Sequence, residues 1–141
     1  MPPPGPVTLD GVGRVVPGIT VAELATAWRL PARAVPSLCT YVPFKVGPAR
    51  GRALFLDGKL GAVFFDRGAR TAQGIGIGSS LGMLRRSYGR KLQSESGSHF
   101  YFLTRRAHPR WQIRFDTNTA NRVVQIAFGE TASVHVVAGC P

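Results

Sequence analysis

Three histidines, seven carboxylates and two cysteines are the groups through which this 141-residue chain would do chemistry. His99, His108 and His135 show neither HxxxH nor HxH spacing, so no local metal-ligand pattern exists. The carboxylates are Asp10, Glu23, Asp57, Asp66, Glu95, Asp116 and Glu130. An acid/base pair needs two of them in one place. Glu23 instead reads as a helix-cap partner, and Asp57 and Asp116 read as turn residues. Ser94, Ser96 and Ser98 form a polar loop without the GxSxG pattern of a nucleophile elbow. The run from Gly74 to Ser80 sets glycines before a helix start, where backbone N–H groups can hold phosphate. It matches neither GxGxxG nor GxxxxGK[ST], and a tight turn is the expectation. The expected protein is therefore not an enzyme and uses no metal or cofactor.

The cations are more numerous. Eighteen Lys and Arg face seven acids, for a net charge of +11. Only Lys45, Lys59 and Lys91 are lysines. Residues 1–70 carry nine basic and four acidic groups, and residues 71–141 carry nine and three, giving +5 and +6. A nucleic-acid arm would be lopsided, so most of this charge reads as a general surface property. The local exceptions are Arg85 and Arg86, followed by Arg105 and Arg106. These two pairs are a candidate anion-binding patch, since guanidinium matches phosphate and carboxylate bidentately. Hydrophobic residues make up 44% of the chain, enough for a folded core rather than a disordered polyelectrolyte. No apolar run approaches the roughly 18 residues of a membrane span.

Cys39 and Cys140 lie too far apart for a zinc motif. A disulfide between them would close a loop of about 100 residues, and it requires an oxidising compartment. Two unrelated thiols are the alternative. The Met-Pro-Pro-Pro-Gly-Pro opening has no basic or apolar signal region. The expected address is secreted or cell-envelope, with the signal peptide absent from this numbering.

These groups must be held by something, and the chain repeats itself at an offset of 60. Gly18 matches Gly78, Thr20 matches Ser80, Val21 matches Leu81, and Leu24 matches Leu84. Trp28 matches Tyr88, Tyr41 matches Tyr101, and Phe55 matches Phe115. Each copy predicts a helix and then a β-meander. Thr20 and Glu23 fit a capping box ahead of the stripe Val21, Leu24, Ala25 and Trp28. Pro31 is the expected stop. In the second copy Ser79 or Ser80 caps Leu81, Leu84 and Tyr88, with Gly89 as the stop. Predicted strands are Cys39–Val46, Arg52–Leu56, Lys59–Asp66, His99–Arg105, Trp111–Asp116 and Arg122–Phe128, with Thr131–Ala138 closing the chain. Asp57-Gly58 is a two-residue hairpin signal.

The expected fold class is thus α+β: two tandem helix-plus-antiparallel-meander repeats forming one sheet with helices on one face. Residues 1–10 are expected as a flexible lead-in and 11–141 as one domain. Within it, repeat one covers about 11–70, repeat two about 71–130, and a closing strand 131–141. Period-2 alternation places Tyr41, Arg52, Leu54, Phe64, His99, Tyr101, Gln112 and Arg114 on the helix-free face.

The segments Val16-Pro17-Gly18-Ile19-Thr20-Val21-Ala22-Glu23-Leu24 and Ile75-Gly76-Ile77-Gly78-Ser79-Ser80-Leu81 resemble a pattern of secreted and lipid-anchored bacterial proteins. Two copies resemble the architecture of the β-lactamase inhibitor protein family. Gly139-Cys140 and Tyr88-Gly89 resemble small exported actinobacterial proteins of unknown role. The resemblance implies a helix-covered sheet whose open face binds another protein. It carries no inhibitory contact residue over to this chain, whose repeats are shorter and strongly basic.

The expected function is an exported, non-enzymatic module that binds a partner protein through the open sheet face. The alternative is a basic protein that binds a polyanion, an envelope polymer or, less favoured, nucleic acid, through Arg85, Arg86, Arg105 and Arg106.

Overall fold

The computed structural model describes residues 4–31, 39–94, 97–104 and 110–131. Helix α1 spans Val21–Trp28. Its start is fixed by the expected capping box. Glu23 N–H donates to Thr20 Oγ1 at 3.2 Å, and Thr20 N–H donates to Glu23 Oε1 at 3.1 Å. Such a cap contributes about 1 kcal/mol by satisfying orphan amides. The helix stops earlier than Pro31: Arg29 takes a left-handed conformation at φ 54°, and its N–H donates to the Ala25 carbonyl. Helix α2 spans Leu81–Tyr88, capped by Ser80 and ended by Gly89 at φ 55°. A 3₁₀ turn follows at Gly89–Lys91.

Nine strands accompany the helices among the described residues: β1 Val7–Thr8, β2 Gly11–Val12, β3 Cys39–Val46, β4 Ala49–Leu56, β5 Lys59–Arg67, β6 Gln93–Ser94, β7 Phe100–Thr104, β8 Trp111–Thr117 and β9 Val123–Glu130. β1 and β2 pair with each other. The rest form one antiparallel sheet in the order β3-β4-β5-β9-β8-β7-β6. The fold class is α+β. Asp57 (φ 52°) and Gly58 (φ 78°) make the β4–β5 hairpin, both in the positive-φ geometry that matches strand twist.

The two meanders, β3-β4-β5 and β7-β8-β9, meet at β5–β9, where Ala62 faces Gly129 and Phe65 faces Ile126. The approach is close: a Cβ on Gly129 would collide with the Gly61 carbonyl oxygen and Ala62 Cα. Each helix is also clamped to a strand through the backbone before it begins. Gly18 N–H donates to the Leu60 carbonyl at 2.7 Å, and Leu60 N–H to the Ile19 carbonyl at 2.8 Å. Gly78 N–H donates to the Val123 carbonyl at 2.7 Å, and Val123 N–H to the Ser79 carbonyl at 2.8 Å.

Both helices bury their stripes on the same side. Leu24 and Trp28 of α1 and Leu81 and Leu84 of α2 join one core with Phe44, Phe55, Phe65, Phe115, Ile126 and Phe128. The Trp28 ring lies 4.8 Å from that of Phe44, and Tyr88 lies 5.7 Å from Phe115. Burial of each such side chain stabilises by about 1.5–3 kcal/mol. A smaller cluster of Leu54, Ala62, Phe64 and Ala127 sits on the opposite side of the sheet.

Three expectations change. The lead-in does not extend to residue 10. Val7 is 1% exposed, its N–H donates to the Arg70 carbonyl at 2.8 Å, and it bridges to Thr71. An apolar residue next to an unpaired backbone edge gains by docking there. β4 begins at Ala49 rather than Arg52, because Ala49 to Gly51 continue the ladder opposite Val46 to Phe44. β9 runs on to Glu130, past the expected Phe128. The expected closing strand 131–138 falls almost wholly outside the described residues.

Candidate functional site

The sheet face opposite α1 and α2, helix-free among the described residues, is where side chains of differing chemistry converge. Rows run across it because cross-strand partners share a face. One row reads Tyr41, Leu54, Ala62, Gly129 and Gln112 from β3 to β8. The next reads Pro43, Arg52, Phe64, Ala127, Arg114 and Phe102. Six of the eight expected face residues are therefore here: Tyr41, Arg52, Leu54, Phe64, Gln112 and Arg114.

His99 and Tyr101 are not. Tyr101 packs against the helix-side core, and His99 precedes β7. The reason is a slip of one residue. Phe55 and Phe115 lie 60 apart and both face the helices, but Phe55 sits opposite Thr40 while Phe115 sits opposite Tyr101. Tyr101 thus takes the ladder position opposite its Phe that Thr40 takes, not that of Tyr41. With a side-chain period of two, one residue reverses the face. Phe100 and Phe102 take the helix-free side instead.

Three arginines on this face have different surroundings. Arg114 is 4% exposed and grips Asp116 with two bonds: Nε donates to Oδ1 at 2.7 Å and Nη2 to Oδ2 at 3.0 Å. Its guanidinium lies 4.7 Å above the Phe100 ring. Gln125 Nε2 also donates to Asp116 Oδ2, at 2.8 Å. Burial lifts the Asp116 carboxyl above its ordinary range, and the Arg114 charge and the hydrogen bonds from Arg114 and Gln125 draw it back. Asp116 lies in the strand expected to end on it, and its carboxylate is in use rather than serving only the following turn. The signal was present as opposite charges at i and i+2 in an alternating strand. Gln125, its cross-strand partner, was missed because cross-strand pairing is not local.

Arg50 donates to Asp66 at 3.0 Å in an exposed pair. Arg52 lies 4.7 Å from the Tyr41 ring and 5.4 Å from that of Phe64. A concavity of about 600 Å³ opens beside it, lined by Pro43, Lys45, Arg50, Phe64, Asp66 and Gln125 among others. Nearer β7, Gln112 Nε2 donates to Thr104 at 3.5 Å, and its Oε1 is buried without a hydrogen-bond partner among the described residues.

Arg85 and Arg86 are exposed in the last turn of α2, where they complement the helix dipole. Arg105 and Arg106 lie outside the described residues, as does Cys140. Cys39 is partly buried against the Leu54 cluster. Among the described residues, no group of three or more His, Cys, Asp or Glu is placed to hold a metal ion. Among them, too, no helix is long and apolar enough to cross a membrane.

No family model and no curated protein matches the chain. Solved structures of like fold do exist. A cysteine-rich secretory protein from Staphylococcus aureus matches with a TM-score of 0.56 at 12% identity, over 92% of this chain and 48% of that one. A DUF4309 family protein from Bacillus subtilis matches with a TM-score of 0.53 at 13% identity, over 84% and 83%. An extracellular protein containing a SCP domain, from Bacillus anthracis, matches with a TM-score of 0.56 at 8% identity, over 90% and 48%. The chain spans about half the length of the first and third. At these identities the likeness is one of fold alone.

The Arg114–Asp116 pair generates a stability prediction. Asp116→Ala leaves a buried guanidinium without its counter-charge and should cost about 3 kcal/mol. Replacing both residues by apolar ones (Arg114→Met with Asp116→Leu) should recover much of that. Urea unfolding of the wild type and both variants checks this. Equal losses in the single and double variants would show that the pair's charge balance is not what matters.

Proposed function

We propose that this protein is an exported, non-enzymatic binding module that engages a partner protein through the helix-free face of its sheet. The single observation behind this reading is the composition of that face. Tyr41, Arg52 and Phe100 are accessible on it, with the buried Phe64 and Arg114 as their ring and cation partners, aromatic and Arg being the residue types enriched at interface hot spots. The mode is inhibitor-like, in the sense of a rigid sheet presented to another protein. The two helix-plus-meander units are tandem copies in this reading. The equivalent clamps Gly18–Leu60 and Gly78–Val123 support it.

Export belongs to the same reading. Two of the fold neighbours are described as secretory or extracellular, and we extend that address to this chain. A Cys39–Cys140 disulfide goes with it, because such a bridge persists only under oxidising conditions. Nonreducing peptide mapping of protein secreted by its native host should recover the two cysteines in one linked peptide pair. Free thiols at both positions would remove the bridge and weaken the case for export.

A second reading rests on α2. Arg85, Arg86, Arg90 and Lys91 are all exposed, and among the described residues they make no ion pair. That suits a polyanion. Immobilised protein, challenged with a native envelope fraction, separates the two readings. Face binding predicts capture that tolerates salt and falls at least about tenfold in Tyr41→Ala. Capture that collapses with rising salt and depends on Arg85 and Arg86 favours the polyanion. Capture indifferent to both sets of variants contradicts both.

A further inference from the structure

We infer that Arg52 is a carboxylate-binding subsite, built to receive an Asp or Glu side chain of the partner; the inference deepens the face-binding proposal and rests on it. The chain contains its own template. Arg114 lies over an aromatic ring, 4.7 Å from the Phe100 centroid, while its Nε and Nη2 fork onto the Asp116 carboxylate. Arg52 lies the same 4.7 Å from the Tyr41 ring, with Phe64 at 5.4 Å. Here the carboxylate is lacking. The Arg52 side chain makes no ion pair or hydrogen bond among the described residues, whereas those of its face neighbours Arg50 and Arg114 each make one.

Contact with two rings restricts the Arg52 guanidinium before a ligand arrives, so less rotamer freedom remains to be lost on binding. The charge around it points the same way. Lys45, Arg50 and Arg52 line one concavity with Asp66 as the acid among its lining residues, leaving two positive charges in excess. Arg50 is engaged by Asp66, which leaves Arg52 and Lys45 to meet an incoming anion. Gln125, on the same wall, adds an amide next to the Asp116 pair. A partner loop carrying a carboxylate would place it in the Arg52 fork, in bidentate geometry, with Lys45 as a second, non-directional charge.

The test uses the whole protein, with glutarate as the probe, and reads arginine side-chain Nε–H signals by NMR. The Arg52 signal should shift saturably, while that of Arg114 stays in place because its fork is occupied. Arg52→Lys, which keeps the charge and loses the fork, should abolish the saturable response read at the Tyr41 ring. A shift at Arg52 that is linear, or no larger than at Arg85 and Arg86, overturns the subsite. Inorganic phosphate saturating at tenfold lower concentration than glutarate overturns the carboxylate assignment. The two proposals fail separately. Saturation by glutarate without Tyr41-dependent capture leaves the subsite and removes the partner protein. Tyr41-dependent capture without saturation does the reverse.

Discussion

Everything on the helix-free face depends on the antiparallel pairing of β5 with β9. Without it the chain has two three-stranded meanders, each with an exposed inner edge. With it, Phe64 stands beside Ala127, and the rows that contain Arg52 and Arg114 become one row. The pairing demands close backbone approach, which is why Gly129 faces Gly61 and Ala62 with no room for a side chain. Among the described residues the sheet has two outer edges. One is β3, interrupted by Pro43, which removes a donor; the other is the two-residue β6. Short edges and edge proline blunt further strand addition.

The same pairing explains the difference between the two faces. Both helices are clamped by backbone bonds next to the central strands, so both lie on one side and cover it. Among the described residues, the other side has no helix to bury it. It therefore keeps polar and aromatic groups, and pairs its charges where they are enclosed. Arg114 is enclosed and has Asp116; Arg50 is exposed, and its pair with Asp66 adds little to stability. Arg52 is held by rings rather than by charge. The net charge of the chain matters less to this picture than the state of those three guanidinium groups.

What could be read from the residues was local. Thr20 with Glu23, Ser80, Gly89 and Asp57-Gly58 act within a few positions, and each forms the structure its type dictates. Strand β3 has its expected bounds because its apolar alternation is bounded by a glycine turn. The failures were about register. An ungapped offset of 60 pairs Phe55 with Phe115, which share the helix-side core, yet puts Tyr101 on the wrong face. Which residue of β7 lies opposite Phe115 is settled by turn length and pairing, not by the alternation inside β7. Val7 was misjudged for a similar reason: its partner, Arg70, lies far along the chain. The carboxylate of Asp116 was misread because its place at the strand end looked like a turn.

Amide hydrogen exchange measures the central claim most directly, namely that two meanders make one cooperative sheet through β5–β9. The amides of residues 62–65 and 126–129 should be the slowest in the protein and should open only with global unfolding. If the β3–β5 amides instead exchanged as one block, with the β7–β9 amides protected separately at a different free energy, the junction would not unite the sheet. The helix-free face could not then act as a single surface.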